Sequence, residues 1–419
     1  MDLVGGEGED TFDDQSTTSK RGNLVDLYDF KAEKSKLIAT RDSRDKRSHR
    51  AQLNLYDRRG PEHQYDHNLL LPVLAFNPDD QLLLGLSGTY LHYAFQKKPY
   101  ASHHHYGVQV SPSTGGLKGF YRGFFTDALG PLDFQLDFYL QTPLYTSNYY
   151  GLGNETLNFE ETEGIDYHRI RKEYLSIAPQ LAWRPNDNFQ LLLGPRFYPV
   201  TIERTPGRFI ETQVASLPAE IFEDLRILSW ELAAEYHNLD QLSFPTRGLR
   251  FQFQLARNRQ IDGDLYHYSS INSELAIYRQ LDRRAKLVLA TRAGLQHRFG
   301  GNENYPFYLG ASLGGLGPDG NLRGFRRNRF TGRTAFYHNT DLRWKVAFWS
   351  NKLLPMSIGL TASFDYGKVS LRDVESDLIH YSYGPGIFLS PFDLFTVHLG
   401  SYRGDGDEWR WLVGGTFFF

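Results

Sequence analysis

From residue 68 onward the chain alternates apolar and polar residues with a period of two, the pattern of a strand with two unlike faces. Leu132, Phe134, Leu136, Phe138 and Leu140 alternate with Asp133, Gln135, Asp137, Tyr139 and Gln141. Leu228, Trp230, Leu232, Ala234 and Tyr236 alternate with Ser229, Glu231, Ala233 and Glu235, and Leu249, Phe251, Phe253 and Leu255 with Arg250, Gln252 and Gln254. A soluble sandwich alternates too, so length decides. Many segments run ten residues or more, against about five or six in a globular sheet, and a tilted membrane strand needs about nine to eleven. Sixteen wall strands are predicted, at 68–76, 81–95, 101–112, 116–128, 131–142, 167–184, 189–203, 226–239, 247–260, 264–281, 285–299, 334–348, 355–369, 382–390, 394–403 and 408–419. The short piece 307–312 is assigned to a loop. The expected fold is an all-β, sixteen-stranded antiparallel transmembrane barrel over residues 66–419.

Connection lengths test this. If the N-terminus is periplasmic, the periplasmic turns are 96–100, 128–131, 184–188, 239–247, 282–284, 350–354 and 390–393, all short. The connections 145–166, 204–225, 300–333 and 370–381 are long and fall on the other side. An even strand number with short turns at one end and long loops at the other is the barrel signature. Phe244-Pro245-Thr246-Arg247-Gly248 at one of the short turns is structural, with Pro presetting φ and Gly supplying a positive one.

Composition agrees. Aromatic content is 15%, with 39 glycines, which suits strands broken by many turns. Mean hydropathy is −0.48, ordinarily a soluble value, but only alternate residues of a barrel strand face lipid. No apolar run reaches the roughly 18 to 20 residues of a membrane helix. Net charge of −3 carries no nucleic-acid footprint. The absence of cysteine removes disulfides and thiolate metal sites.

Residues 1–65 differ. They are polar, charged and without period, and they read as an N-terminal periplasmic segment, the end of a truncated upstream domain. The start Met-Asp-Leu-Val-Gly-Gly lacks the basic and apolar regions of a signal peptide, so the chain reads as a fragment with its true start missing. Gly5-Gly6-Glu7-Gly8-Glu9-Asp10-Thr11-Phe12 matches one copy of the G-G-x-G-x-D calcium β-roll repeat. A single copy builds no roll, whose sites lie between stacked turns, so no calcium is expected.

The stretch from Gly310 to Asp341 is glycine-rich and basic, with Leu322-Arg323-Gly324-Phe325 at its centre. Some forty residues on comes Phe364-Asp365-Tyr366-Gly367-Lys368-Val369. These resemble the (V/L)RG(F/Y) loop motif and the F-x-D-x-G-x-V strand motif of the BamA-like outer-membrane barrels, also called the bacterial surface antigen family. The resemblance covers about residues 66–419. It implies that the loop folds back into the barrel and that Arg323 pairs with Asp365, with Gly324, Phe325 and Gly367 completing a loop–barrel lock. The alternation Met356, Ile358, Leu360, Ala362, Phe364 toward lipid independently turns Asp365 into the lumen. Arg326, Arg327, Arg329 and Arg333 are expected to serve lumen acids such as Glu231 and Glu235. The final strand sets Trp409, Trp411, Val413, Gly415, Phe417 and Phe419 on one face. Trp411, Phe417 and Phe419 resemble the terminal signal by which barrel substrates are recognised for insertion.

The resemblance further implies insertion or translocation of proteins at the outer membrane of a Gram-negative bacterium, through an unstable seam between first and last strands. Its partners would be outer-membrane lipids, unfolded outer-membrane or secreted protein substrates, and accessory envelope proteins. The first strand, short and carrying Pro72, suits such a seam. Residues 1–65 do not read as the POTRA modules of the assembly members. The alternative is a barrel that anchors or exports a fused enzyme domain, a phosphoesterase or patatin-like lipase, absent from this chain. A passive porin is disfavoured by the basic loop.

No catalytic constellation emerges, and neither a cofactor nor a metal is expected. Gly310-Ala311-Ser312-Leu313-Gly314 matches the hydrolase elbow G-x-S-x-G, but the glycines and proline after it cannot start the helix that motif requires. His103-His104-His105 on a strand point to alternate faces, so at most two could share an ion.

Overall fold

The computed structural model describes the chain except residues 1, 6–7, 15–24, 39–42, 48, 50–64, 95–96, 98, 301–304, 317–319, 351–353, 373, 375, 393–395, 416 and 418. Gly6 and Glu7 of the glycine repeat, most of 48–64, and Thr416 of the last predicted strand therefore lie outside the described residues. Sixteen antiparallel strands close a barrel. Numbered from the first, they are β1 His67–Asn77, β2 Gln81–His92, β3 Ser102–Val110, β4 Leu117–Leu129, β5 Leu132–Gln141 and β6 Arg169–Asn186. Then come β7 Phe189–Glu203, β8 Leu225–His237, β9 Arg247–Gln260, β10 His267–Gln280 and β11 Leu287–Phe299. The wall ends with β12 Thr334–Trp349, β13 Met356–Ser370, β14 His380–Pro391, β15 Val397–Gly404 and β16 Trp409–Gly414.

Burial runs inside out relative to a soluble protein. Trp183, Leu193, Trp230, Ile277, Trp344 and Leu360 are exposed, while Ser229, Arg292, Asn339, Asp341, Arg343 and Asp365 are buried. Alternation along β13 sets Leu360 and Phe364 outward and Ser363 and Asp365 inward. This is the polar lumen and apolar belt of a membrane barrel. The long connections all leave one end of the wall, and the turns between β4 and β5 and between β6 and β7 at the other end take only two residues. The β8–β9 turn is built as its residues require. Asp240 accepts the amides of Thr246 at 2.9 Å and Arg247 at 3.2 Å. Gly248 has φ of 116°, where a Cβ would lie 2.5 Å from the Asn238 carbonyl.

Closure is uneven. β12 and β13 pair from Thr334 with Ser370 to Trp349 with Met356, broken only by a bulge between Lys345 and Ala347. Among the described residues the one register pair between β16 and β1 is Val413 with Phe76. Leu69, Leu70, Leu71 and Leu74 of β1 are all about half exposed or more, on both faces of the strand. The strand predicted at 408–419 in fact ends at Gly414. Trp411 faces outward, but Phe417 and Phe419 are buried. Phe417 packs on Phe244 and Phe388 at 5.5 and 5.1 Å between centroids. The Arg343 guanidinium lies 4.1 Å from the Phe417 ring and Nη2 donates to the Phe419 carbonyl at 2.7 Å. Buried aromatic and cation–π contacts thus replace the lipid-facing positions that alternation assigns to the tail.

Before the barrel, Asp2–Val4, Val25–Tyr28 and Ser43–Asp45 form a parallel sheet, and Thr11–Asp13 pairs in parallel with Lys36–Ile38. Phe12, Val25 and Leu27 are its core. This segment, which shows no sequence period, is a short stacked coil.

Candidate functional site

The segment between β11 and β12 packs on the inward faces of the wall. A short hairpin, Ala311–Leu313 with Phe330–Gly332, brackets its tip. Ser312 of the G-x-S-x-G match sits in that hairpin, its hydroxyl bonded to Asn328 at 3.1 Å, with no helix behind it among the described residues. Gly324, at φ of 83°, lets the tip approach the wall. A Cβ there would lie 2.5 Å from the Gly404 amide nitrogen and 2.9 Å from Ser382 Cβ. Phe325 is buried on Gly404 and lies 5.4 Å from Phe330. Gly367 leaves room for Leu313, whose Cδ1 would be 2.9 Å from a Cβ. Gly324→Ala combines a strained left-handed backbone with that contact. It is expected to cost about 1–3 kcal/mol, read as a lower urea midpoint for barrel unfolding in detergent.

Arg323 is fully buried at the centre. Its Nε and Nη2 donate to the two Asp365 oxygens at 2.7 and 2.5 Å, a bidentate pair. Its amide adds a bond to Asp365 at 3.1 Å. Nη1 donates to Asp341 at 2.7 Å and Ser363 at 3.1 Å, and the guanidinium lies 5.0 Å from the Tyr402 ring. One cation therefore answers two buried carboxylates, and Asp341 is also held by Arg343 at 3.1 Å. Sequence reasoning missed Asp341, although an acid on an inward position of β12 was a readable signal.

The neighbouring arginines do not serve Glu231 and Glu235. Glu231 is paired with Arg196 of the adjacent strand at 2.8 Å, and Glu235 accepts from Gln252 at 3.2 Å. Arg326 instead forms a bidentate pair with Glu160 of the β5–β6 connection, with Nε at 2.8 Å. Its Nη1 donates to the Pro78 carbonyl at 2.7 Å and reaches Asp79 at 3.5 Å. The Arg327 amide donates to Asp79 at 3.2 Å. Arg410 of β16 donates to Glu160 at 3.3 Å, Asp407 at 2.6 Å and the Gly324 carbonyl at 3.2 Å. The β1–β2 turn on one side of the seam and β16 on the other are thus tied to the same loop. Arg329 binds Thr156 at 2.7 Å, and Arg333 donates to the Arg298 carbonyl at 3.1 Å.

His168 props the β5–β6 connection. Nδ1 contacts the Tyr149 carbonyl at 3.1 Å and Nε2 accepts the Phe159 amide at 3.1 Å. Only the neutral ring with its proton on Nδ1 makes both bonds. Burial pushes its pKa from 6.5 down to about 4. Burial also works to raise the Glu160 carboxyl, but the Arg326 and Arg410 guanidiniums outweigh it and hold the group below its ordinary value. The stability His168 contributes is therefore complete above pH 6.5 and lost as pH falls toward 4; the Glu160 contribution fades only below its ordinary range. Hydrogen exchange at the Phe159 amide, corrected for intrinsic rate, should rise between pH 7 and 4.5. A constant rate would remove His168 from this role.

Of the three consecutive histidines, His104 bonds Tyr121 at 2.8 Å and Ser102 at 2.9 Å, while His105 contacts Ser87 at 3.3 Å on the other face. Among the described residues no three His, Asp or Glu side chains converge as metal ligands.

A model of the Omp85 superfamily domain matches residues 131–417. No curated protein sequence matches the chain. Among solved structures it is similar to BamA from Haemophilus ducreyi lacking POTRA domains 1–3, with TM-score 0.59 and 14% identity over 84% of this chain and 71% of that one. It is similar to CdiB from Escherichia coli, with TM-score 0.52 and 12% identity over 85% of this chain and 63% of that one. CdiB from Acinetobacter baumannii gives TM-score 0.50 and 11% identity over 83% and 59%. The chain thus spans less than two thirds of either CdiB. At these identities the likeness is one of fold.

Proposed function

Because this chain belongs to the Omp85 superfamily of outer-membrane β-barrels, we propose that it inserts or translocates other proteins at the outer membrane by opening its wall between β1 and β16. The observation that carries this reading is the seam. Among the described residues a single register pair joins the two strands, and β1 carries exposed leucines on both faces. An edge with unsatisfied main-chain groups is a template for an incoming strand. In this reading Arg323, Gly324, Phe325, Asp365 and Gly367 lock the loop against the wall so that the seam is the part free to move. Trp411, Phe417 and Phe419 act as the chain's own assembly signal. Unfolded outer-membrane or secreted proteins are the substrates.

The chain has no cysteine, so Val413→Cys with Phe76→Cys makes a seam that can be locked and released. Reconstituted in liposomes, the reduced double variant should raise the fraction of an unfolded barrel client that reaches its folded, heat-resistant form. Oxidation should abolish the gain and reductant restore it. Assembly that ignores the disulfide would sink lateral opening, and no gain over empty liposomes would sink insertion of barrel clients.

A second reading, a barrel that anchors or exports a fused enzyme domain, draws support from the parallel coil of Asp2–Val4, Val25–Tyr28 and Ser43–Asp45. A coil of stacked strands continues readily from a larger β-domain.

A further inference from the structure

The parallel coil stacks Gly5 and Asp10 on the turn at residues 29–35. Gly5 N–H donates to the Tyr28 carbonyl at 2.8 Å, Asp10 N–H to Ser35 Oγ at 3.0 Å, and Lys36 N–H to the Asp10 carbonyl at 2.8 Å. The requirement that a single glycine repeat cannot meet, a second turn beneath it, is supplied here by strand register alone. The lower turn, Asp29-Phe30-Lys31-Ala32-Glu33-Lys34-Ser35, carries no glycine signature.

Stacking brings two carboxylates onto the bare face of Gly5. A Cβ on Gly5 would lie 2.5 Å from Asp29 Oδ1 and 2.7 Å from Asp10 Oδ2. Asp29 is 0% exposed. Its Oδ1 accepts the Phe30 amide at 2.8 Å, while its buried Oδ2 has no hydrogen-bond partner. Glu33 Oε2 on the same turn is also buried without one. The cation whose field Asp29 feels, Arg47, is bound to Asp45 at 3.0 and 2.9 Å and to the Ser35 carbonyl at 3.1 Å. A buried carboxylate with an unanswered oxygen, facing a second carboxylate, calls for a positive partner. Oxygen-only donors on turns select a hard cation, and calcium tolerates an irregular set of six to eight oxygens where magnesium demands an octahedron.

We propose that one calcium ion binds between Asp10 and Asp29, where Gly5 and Asp10 stack on residues 29–35, with main-chain carbonyls and water completing the shell. With two side-chain carboxylates the site belongs with the weaker extracellular modules, at a Kd of about 10⁻⁴–10⁻³ M. Bound calcium would tie the two turns together on the N-terminal side of the barrel, whichever reading of the barrel holds.

The test is calorimetric titration of CaCl₂ into the full chain, refolded in detergent free of lipopolysaccharide, paired with trypsin susceptibility at Lys31–Lys36. One ion per chain is expected, with calcium protecting that stretch and magnesium binding at least tenfold more weakly. Asp29→Asn should weaken binding at least tenfold. Asp26→Asn, which removes only the exposed Arg44 pair, should leave it unchanged. Should Asp29→Asn unfold the coil, Gly5→Ala, whose methyl would meet both carboxylates, serves in its place. No heat from the parent chain up to about 10 mM calcium, or equal affinity in the parent, Asp29→Asn and Gly5→Ala, would overturn the site.

Discussion

Replacing Arg323 by alanine is expected to lower barrel stability by about 3–5 kcal/mol, the cost of removing one partner from a buried ion pair. Two carboxylates, Asp365 and Asp341, lose their shared cation at positions 1% and 2% exposed. Arg343 still reaches Asp341, so Asp365 carries most of the penalty. Arg323→Lys should fall between parent and alanine, because an ammonium offers a point charge and cannot span both Asp365 oxygens. The double variant Arg323→Ala/Asp365→Ala should cost less than the sum of the singles, since removing the acid also removes its unpaired charge. Urea unfolding in detergent reads all of these. An alanine variant within 1 kcal/mol of the parent would mean that water answers both carboxylates.

The sixteen wall strands were legible because a membrane strand must alternate over its whole length, and each predicted span overlaps an observed one. Arg323 and Asp365 were legible through motif resemblance, with strand parity turning Asp365 inward. What failed has physical reasons. Alternation through Trp409, Trp411 and Val413 continues in the sequence to Phe419, but a ladder needs a partner, and among the described residues β1 meets β16 at Val413 alone. Beyond it Arg343, Phe244 and Phe388 hold Phe417 in a buried aromatic cluster. The arginines of the loop were assigned to lumen acids because loop-to-loop pairing leaves no trace in spacing. Glu231 already had Arg196 across one strand pair, whereas Glu160 lies 166 positions from Arg326. The parallel coil before the barrel was hidden for the same reason: its register pairs Asp2–Val4 with Val25–Tyr28 and Thr11–Asp13 with Lys36–Ile38, segments that share no consensus.

Arg326→Ala should loosen the seam without melting the wall. The guanidinium is largely buried and links its loop to two segments: Glu160 from the β5–β6 connection, and Pro78 and Asp79 from the turn that ends β1. Glu160 also holds Arg410 of β16. Losing Arg326 therefore removes the side-chain tie between the β1 side and the β16 side at the end where the strands come closest, leaving the Arg327 amide on Asp79, Arg410 on the Gly324 carbonyl and the Val413–Phe76 pair to hold the seam. Breaking a pair this buried costs about 2–4 kcal/mol, somewhat less than at Arg323 because Glu160 retains Arg410 and partial solvent access. The cost should fall locally. Amide exchange should accelerate in β1 and β16 while β9 to β11, which have full ladders on both sides, stay protected. If the seam is the working edge, this variant should also assemble client barrels faster at first and survive urea less well, a trade that Arg329→Ala, whose guanidinium binds Thr156 and, among the described residues, no acid, should not show. Uniform acceleration of exchange around the whole barrel would instead make Arg326 a support of the fold at large, and the seam would lose its clamp.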